Sequence, residues 1–529
     1  MRVSAKKRNW ISFGIVFLIS TAIAFGLIGR QVFYANWGIV DDHEIFSFIG
    51  IHQRLPITDL FHTLLAKTEV GDPGSGRFRP SYYFLLLLEA ATWGKNVHLW
   101  YLARTLWFAT FIASLWWLLS KFVRMWLAAA LLLPILLLPF WADVWSRLGP
   151  SEIYGTLALG LMLFGIHATV QSPDEAKRKW GAALVTFAAL ILIGSKETFI
   201  PLSGAAVVVL VFAGFTRRIP VWMTVCFSLA IGVYAAAIVF VVQRVVLTSG
   251  HDFYANTIDV RQLLGIAGRA LYAVVIGNGL ALCYAVVIVF FGYCARRAKR
   301  GLRDWLWSSC TILAIFVFMA GIYFSQQVVY QGRLPLQTRY DFPAALFVPF
   351  SYYMLICYIF YQMRCYLNSR IIGYIAIFFA VAVFAAYGPR LALGFGSRSL
   401  SKTVNANIQK TDTFFKEISA LAAFAKQQPR SPIILEAYGP EAFEALVAIQ
   451  TYVRALGAEN PVSVRLHMTD NSKGALYDRL ESQMRTMQSD GDSRFAPLSK
   501  SLANPENGCI SVGINEAGSA GCTAFEVRS

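Results

Sequence analysis

Charged side chains are scarce in this sequence, and acidic ones scarcer still. Asp, Glu, Lys and Arg make up 15% of the 529 residues, 57% are hydrophobic, and the mean hydropathy is +0.53. A water-soluble enzyme of this length needs a larger charged fraction to cover its surface. The composition therefore argues against a soluble cytoplasmic protein.

Several motifs of soluble enzymes are missing too. The sequence contains no dinucleotide-binding GxGxxG, no HExxH, no CxxC and no GxSxG nucleophile elbow. Six of the eight cysteines lie in or beside apolar segments without metal-ligand spacing. The other two, Cys509 and Cys522, lie in the carboxyl-terminal tail, and we predict that they form a disulfide if the tail is in an oxidising compartment.

What the sequence does contain is a series of long apolar runs. Runs of about 17 to 22 nearly uncharged residues match the length that a helix needs to cross a hydrocarbon core. The first, from about Trp10 to Gly29, is long enough for an anchor rather than a cleaved signal peptide. The others are centred near residues 109, 133, 162, 187, 207, 232, 282, 315, 352 and 379. We predict a polytopic α-helical membrane protein with about 11 transmembrane helices.

Basic residues set the predicted orientation. Alternate connections, including the amino terminus, hold 18 Lys and Arg among about 42 residues, which is typical of cytoplasmic loops. The first loop on the other side, about residues 30–98, is longer and carries seven acidic residues. The tail is nearly neutral, with 15 basic and 14 acidic residues, so the net charge of +17 belongs to the membrane part. That charge is explained by topology and anionic membrane lipid, and no nucleic-acid partner is needed.

The chain divides into three parts by composition. Residues 1–388 form the predicted transmembrane module, 389–403 a Gly- and Ser-bearing linker, and 404–529 an extracytoplasmic α/β domain. In the last part we expect strands at 432–436, 462–466, 510–513 and 523–527, with helices at about 405–428, 440–456 and 473–487. The first outer loop should hold helical pieces at 44–53, 58–66 and 80–93, and ordered loops of that length usually carry function.

The most informative motif is Val40-Asp41-Asp42-His43-Glu44, directly after the first span. Ionisable groups at a membrane boundary are expensive to bury unless they have a partner, a substrate hydrogen or a cation. An ordinary solvated loop or a helix cap would also use Asp at these positions.

Other predicted outer loops place a cation beside an anion in the same way. These are Arg77 and Arg79; Arg147 and Glu152; Lys196 and Glu197; and Arg339 and Asp341. Together with the acidic motif they suggest one polar cavity that holds an anionic head group while its tail stays in lipid. The alternative is that each pair is a structural ion pair joining two helix ends.

The membrane part, about residues 1 to 388, resembles the GT-C superfamily of integral-membrane glycosyltransferases, such as protein mannosyltransferases and aminoarabinose transferases. The resemblance rests on the acidic pair after the first span, on Arg77-Phe78-Arg79-Pro80-Ser81-Tyr82-Tyr83 and on Ser195-Lys196-Glu197. It implies a polyprenyl-phosphate sugar donor and a glycan or lipid-linked acceptor, as in cell-envelope polysaccharide biosynthesis. It also places the family's acidic pair on Asp41 and Asp42.

The chemistry assigns roles to these residues. Transfer of a sugar from a lipid phosphate to a hydroxyl needs a base at the nucleophile and cations at the leaving phosphate. We expect Asp42 to be the base with Asp41 as its partner, and Arg339, Lys196 and Arg147 to bind the donor phosphate. Supporting roles are expected for Arg79, Glu44, Glu152, Glu197 and Asp341. No cofactor is certain, but the two carboxylates and His43 could hold a divalent cation.

A transporter or flippase of a lipid-linked or anionic solute is the main alternative. Transporters carry inverted repeats and ionisable groups near the membrane midplane. Here the ionisable groups cluster at span ends, which favours the enzyme. A surface-glycan ligase or polymerase, or a scaffold that carries the tail, is a further alternative. The sequence identifies neither the sugar nor the acceptor.

Overall fold

The computed structural model describes residues 5–68, 78–121, 123–249, 260–272, 280–297, 301–330, 334, 338–366, 396–437, 443–466, 510–514 and 523–527. Up to residue 366 its helices are α1 (Ala5–Ile28), α2 (Arg30–Tyr34), α3 (Asp42–Ile49), α4 (Leu60–Lys67), α5 (Pro80–Trp93), α6 (Val97–Leu119), α7 (Met125–Leu136), α8 (Trp141–Trp145), α9 (Glu152–Gln171), α10 (Glu175–Ser195), α11 (Ile200–Phe215), α12 (Val221–Ser249), α13 (Val260–Tyr272), α14 (Leu280–Arg297), α15 (Leu302–Val329) and α16 (Phe347–Tyr366). Short 3-10 turns lie at Ile57–Asp59, Glu197–Phe199, Arg339–Asp341 and Ala344–Leu346.

Seven helices in the described ranges are long and apolar enough to cross a membrane. They are Val97–Leu119, Glu152–Gln171, Glu175–Ser195, Glu197–Phe215, Val221–Gln243, Leu302–Val328 and Ala344–Tyr366. Phe13–Ile28 and Met125–Leu136 are apolar but shorter. The chain is therefore a helical membrane protein. The number eleven stays a prediction, because the span expected near residue 379 lies outside the described residues.

The membrane helices of the amino-terminal half pack mainly around α9. It lies against α6 and α10, and α6 in turn packs on α1. Small residues permit the closest approaches: a Cβ at Gly160 would meet the backbone of Phe111 at 2.9 Å, and one at Gly181 would meet the amide of Thr169 at 2.7 Å. Small residues serve this purpose in lipid, where apolar surface alone does not drive helices together. Asp174 caps the start of α10, where its side chain accepts from the amide of Ala176 at 3.0 Å.

The segment between α1 and α6 folds as predicted into helical pieces. Pro80 begins α5, where its fixed φ suits the first helical turn. Gly94 ends α5 at φ +54, and its backbone lies so close to Gln53 that no side chain would fit. This contact joins the end of α5 to the segment that follows α3.

Beyond residue 395 the described chain contains two helices and four short strands. They are α17 (Gly396–Gln427), β1 (Ile433–Ala437), α18 (Phe443–Ala455), β2 (Val462–Leu466), β3 (Ile510–Ile514) and β4 (Thr523–Val527). All strand pairs are parallel, in the order β2-β1-β3-β4. The strands lie where the sequence predicts them, whereas α17 already begins inside the segment that we expected to be a linker. The helix predicted at 473–487 lies outside the described residues.

The tail and the segment between α1 and α6 share one hydrophobic core. Phe46 of α3 packs on Tyr452 of α18 with ring centroids 4.5 Å apart, and Tyr452 also contacts Phe414 of α17 at 5.2 Å. Leu421 and Ile449 are fully buried in the same cluster. Burial of such residues is the main source of stability in a contact of this kind. The tail is thus packed directly onto the loop that carries the acidic motif.

Candidate functional site

Asp42 is the first residue of α3, and its carboxylate is enclosed by backbone. Its Oδ2 accepts from the amide of Gly38 at 2.8 Å, and its Oδ1 from the amide of Leu148 at 3.3 Å. Only 2% of the residue is exposed. Asp42 therefore ties the loop before α3 to the segment that follows α8.

Asp41 faces a different environment. It has the left-handed φ of +66, which is rare for a residue with a side chain. Its Oδ2 accepts from Nη1 of Arg339 at 2.7 Å, and Nη1 of Arg147 lies 3.9 Å away. The Asp41 side chain remains 26% exposed. A Cβ at Gly149 would collide with the Asp41 side chain, so a glycine is required there.

Arg339 is held by its backbone as well as by Asp41. Gln326 of α15 donates to the carbonyls of Tyr340 and Phe342 and accepts from the amide of Ala344, which fixes the turn around Arg339. The amide of Arg339 also donates to Oδ2 of Asp143 at 3.1 Å.

The same carboxylate of Asp143 orients the second guanidinium. Its Oδ1 lies 3.4 Å from Nη2 of Arg147, one helical turn further along the chain. Asp143 thus links the guanidinium of Arg147 to the backbone of Arg339, so both arginines that face Asp41 are held in place by protein contacts.

Two further ion pairs extend this polar region. Nζ of Lys196 donates to Oε1 of Glu152, and both side chains are buried. Arg79 makes a two-pronged contact with Glu197, at 2.9 and 3.2 Å.

The ring of Tyr340 connects these pairs to Arg339. It lies 4.9 Å from Nζ of Lys196 and 5.5 Å from the guanidinium carbon of Arg339. Burial alone would lower the pKa of Arg339, but the charges of Asp41 and Glu152 raise it above its usual value. Arg339 therefore remains positively charged, stabilised by the carboxylates of Asp41 and Glu152.

The two adjacent aspartates differ in their affinity for protons. Burial raises the pKa of Asp42 to about 7; the Gly38 amide opposes that shift and the charge of Asp41 adds to it. Burial also acts on Asp41, but Arg339 and Arg147 hold its pKa below the usual range. Asp41 is therefore ionised at neutral pH, whereas Asp42 holds its proton to a much higher pH than an ordinary carboxyl.

The structure brings most of the predicted site residues together. Asp41, Asp42, Arg147, Arg339, Lys196, Glu152, Arg79 and Glu197 form one continuous polar region at neighbouring helix ends. Glu44 is half-buried in the first turn of α3, and Asp341 is buried beside Arg339. Arg77, Cys509 and Cys522 lie outside the described residues.

Nothing in the described part of the chain forms a metal-binding group of three or more His, Cys, Asp or Glu. The motif's histidine, His43, is instead directed at a backbone carbonyl, with its Nδ1 3.1 Å from the oxygen of Ile39. A divalent cation at Asp41 and Asp42 would need ligands from elsewhere.

Sequence reasoning missed Asp143, although its spacing of four residues from Arg147 was a usable signal. It also gave no partner for Arg104 of α6, which is 1% exposed. The Nη1 of Arg104 donates to both carboxylate oxygens of Glu89, at 2.7 and 2.9 Å.

A cavity of about 600 Å³ adjoins the polar region between the first loop, α8 and α17. Asp42, Asp143 and Arg147 line one wall, and residues 402–414 of α17 line the other. Arg147 belongs to both places, because it lines the cavity and also contacts Asp41. The cavity thus ends at the ion cluster.

In comparisons with protein-family models, with curated proteins and with solved structures, nothing matches this chain.

Proposed function

We propose that this protein transfers a sugar from a polyprenyl-phosphate donor to a hydroxyl of a glycan or lipid-linked acceptor. One observation supports it most: a partly exposed carboxylate, Asp41, is paired with two guanidinium groups at the ends of membrane helices. A lipid phosphate sugar needs that combination, a base for the incoming hydroxyl and cations for the leaving phosphate. The resemblance to GT-C glycosyltransferases supports the same reaction.

The proposal includes the setting of the reaction. We place the amino terminus in the cytoplasm and the ion cluster at the extracytoplasmic face of the plasma (inner) membrane. The tail follows about eleven spans and forms an α/β unit on the extracytoplasmic side. The density of Lys and Arg in alternate loops supports this orientation. The packing of the tail on the first outer loop supports it as well, since contacting segments must lie on one side.

The reaction would be a single displacement at the anomeric carbon. The acceptor oxygen forms the new bond to that carbon while its proton passes to the carboxylate. The bond from the carbon to the phosphate oxygen breaks, and its electron pair leaves with the polyprenyl phosphate. Attack from the face opposite the leaving group inverts the anomeric configuration.

Asp41 suits the role of base better than Asp42, which reverses our sequence-based assignment. A base must reach the proton that it removes. Asp41 is partly exposed and ionised, whereas both oxygens of Asp42 already accept backbone amides and the residue is 2% exposed. We assign Asp42 a positioning role: its bonds to two backbone amides hold the neighbouring Asp41 in place.

Donor binding would release Asp41 for this task. Arg339 and Arg147 are partly exposed and both face Asp41, so a donor phosphate would compete with Asp41 for their N–H groups. When the guanidinium groups turn to the phosphate, the pKa of Asp41 rises and its oxygen is freed for the acceptor hydroxyl. Lys196, buried against Glu152, would add positive potential behind Arg339.

The test is to reconstitute the purified protein in lipid nanodiscs with a panel of polyprenyl-phosphate sugars and hydroxyl acceptors. We expect release of polyprenyl phosphate and a product with inverted anomeric configuration from at least one donor. The Asp41→Asn protein, tested with the same panel, is the negative control and should release no polyprenyl phosphate above background. Movement of a lipid-linked substrate across vesicles without cleavage would instead support a flippase and overturn the proposal, as would a panel in which no donor is cleaved.

A further inference from the structure

The cavity beside the ion cluster has one wall built entirely by the tail. Seven residues of α17 line it, and they follow the spacing of one helix face: Lys402, Thr403, Ala406, Asn407, Lys410, Thr411 and Phe414. The opposite wall comes from the first loop and from the α8 region, with Asp42, Ser146 and Arg147. The site therefore exists only when the tail is packed in place.

Specific polar contacts fix α17 at this position. Arg30 donates to Oδ1 of Asn405 at 3.0 Å, and the amide of Asn36 donates to Oγ1 of Thr411 at 3.1 Å. From the neighbouring α18, the hydroxyl of Tyr452 donates to the carbonyl of Gly38 at 2.7 Å. With the shared hydrophobic core below them, these bonds give the cavity a defined shape rather than a variable gap between two parts.

The tail wall is cationic. Lys402 and Lys410 lie eight residues apart on the same face, which separates them by about 12 Å along a helix axis. Both side chains are exposed, and neither forms an ion pair with another residue in the described ranges. Asn407 lies between them and offers an amide, while Arg147 lies on the other wall.

The carboxylates of the cavity do not cancel these cations. Asp143 is paired with Arg147 at 3.4 Å, and Asp42 is buried against two backbone amides. The two ammonium groups of α17 are thus the cavity charges that remain to be matched by a ligand. Paired cations at this spacing, with an amide between them, suit a saccharide that bears more than one acidic group.

We propose that this cavity is the acceptor subsite and that the acceptor is an acidic saccharide, with phosphate or carboxylate groups bound by Lys402 and Lys410. The assignment as an acceptor site rests on the proposed transferase function. Because Arg147 joins the cavity to Asp41, a saccharide bound along α17 would present its end hydroxyl to the base. The tail would then select the acceptor, while the membrane helices bind the donor.

Binding without donor tests this directly. Equilibrium binding to the nanodisc-embedded protein would be measured for an oligosaccharide that contains uronic acid, a phosphorylated one and a neutral one of equal length. The variant is Lys402→Gln/Lys410→Gln, which removes both charges and keeps most of each stem. The matched control is Lys416→Gln, also exposed on α17 but outside the cavity and paired with Asp412.

We expect an acidic saccharide to bind the double variant about tenfold more weakly than the wild type, since two partly exposed ion pairs are lost. The neutral saccharide should bind both proteins equally, and Lys416→Gln should behave as wild type. Equal binding of acidic and neutral saccharides to the wild type would overturn the inference. So would acidic binding that is unchanged in the double variant.

The two proposals can fail separately. Charge-dependent binding without sugar transfer in the donor panel would leave an acidic-saccharide site in a protein that is not this transferase. Transfer that prefers neutral acceptors would keep the transferase and remove the acidic subsite. Repeating the binding with free and with lipid-anchored forms of the same saccharide identifies the source of the acceptor, and charge-dependent binding of either form supports the site.

Discussion

Two ion clusters that meet at the segment between α8 and α9 have opposite designs. The closed cluster consists of Glu89, Arg104 and Tyr154; the open cluster consists of Asp41, Arg147, Asp143 and Arg339. In the closed cluster the side chains of Arg104 and Glu89 are 1% and 7% exposed. In the open cluster the exposed fractions of Arg339, Asp41 and Arg147 are 15%, 26% and 36%.

The closed cluster leaves no room for a ligand. Glu89 accepts from Arg104 and from the hydroxyl of Tyr154, and Arg104 also donates to the carbonyl of Leu148 at 3.1 Å. The guanidinium lies over the ring of Trp107 at 4.6 Å. In the open cluster Oδ2 of Asp41 faces both Arg339 and Arg147, and the backbone of Asp41 has a strained, positive φ. Strain beside exposed charge is typical of functional sites, whereas enclosed pairs hold helices together.

The largest expected effect is on the open cluster. Asp41→Asn removes the proposed base and should lower the transfer rate by about 10² to 10⁴. The amide can still occupy the same space, so the protein should fold and bind donor. The measurement is the single-turnover rate with the best donor of the panel, beside donor affinity and thermal unfolding.

Asp412→Asn is the matched control for that change. Asp412 lies on α17 in an exposed pair with Lys416, and its replacement should leave the rate unchanged. If Asp41→Asn retains full turnover while Asp42→Asn loses it, the sequence-based assignment to Asp42 was correct and the reversal proposed here is wrong.

Breaking the closed cluster should damage stability instead. Arg104→Ala leaves Glu89 buried without its cation, a change that typically costs about 3 to 5 kcal/mol of unfolding free energy. Activity per folded molecule should be retained. Denaturant unfolding in detergent, with activity normalised to folded protein, measures both.

An exposed pair supplies the control for this prediction. Lys179→Ala breaks the pair with Glu175 on α10, whose side chains are 42% and 64% exposed, and should leave the unfolding free energy close to that of the wild type, since exposed pairs contribute little. If Arg104→Ala is as stable as the wild type but loses turnover, the closed cluster takes part in the reaction. The distinction between a structural closed cluster and a functional open cluster would then be wrong.

A smaller loss is expected at Arg339. Arg339→Ala should reduce turnover by about 10² to 10³, as for removal of one preorganised donor to a developing anion. Arg339→Lys keeps the charge but not the planar guanidinium, so its turnover should lie between that of Arg339→Ala and that of the wild type. Rates at saturating and limiting donor separate binding from turnover. The control is Arg124→Ala, which changes an exposed arginine between α6 and α7 and should keep wild-type kinetics. Equal kinetics for the wild type and Arg339→Ala would exclude a role of Arg339 in binding the donor phosphate.

Local patterns in the sequence predicted several of the described elements and the loops whose charged residues meet. Alternation predicted the strands at 462–466 and 523–527 with the observed bounds, and Pro80 marked the start of α5. Cations beside anions at span ends identified the residues that meet, because helix ends on one side of a membrane must lie at similar depth.

Orientation and distant pairing could not be derived in this way. Which of Asp41 and Asp42 is exposed depends on a left-handed φ at Asp41, which is permitted by the glycine at position 149 more than 100 residues away. Arg104 pairs with Glu89 on the preceding helix, and only the packing of α5 against α6 shows that neither reaches the surface. The docking of α17 over the acidic motif is equally a tertiary effect.

The smallest expected effect distinguishes the two aspartates by pH. The pKa of Asp42 is about 7 in the folded protein against an ordinary value of 3.8, so the folded state holds a proton that the unfolded chain releases above about pH 4. Stability should therefore fall as pH rises from about 4 to about 7 and then level off. Asp41 has a lowered pKa, so its contribution is lost only on acidification below about pH 4, outside this window. Asp42→Asn cannot titrate, so its unfolding temperature should drop less between pH 5 and pH 8 than that of the wild type, while Asp412→Asn keeps the wild-type difference. If Asp42→Asn and wild type lose the same stability over that range, Asp42 is ionised throughout, and burial does not separate the two carboxylates.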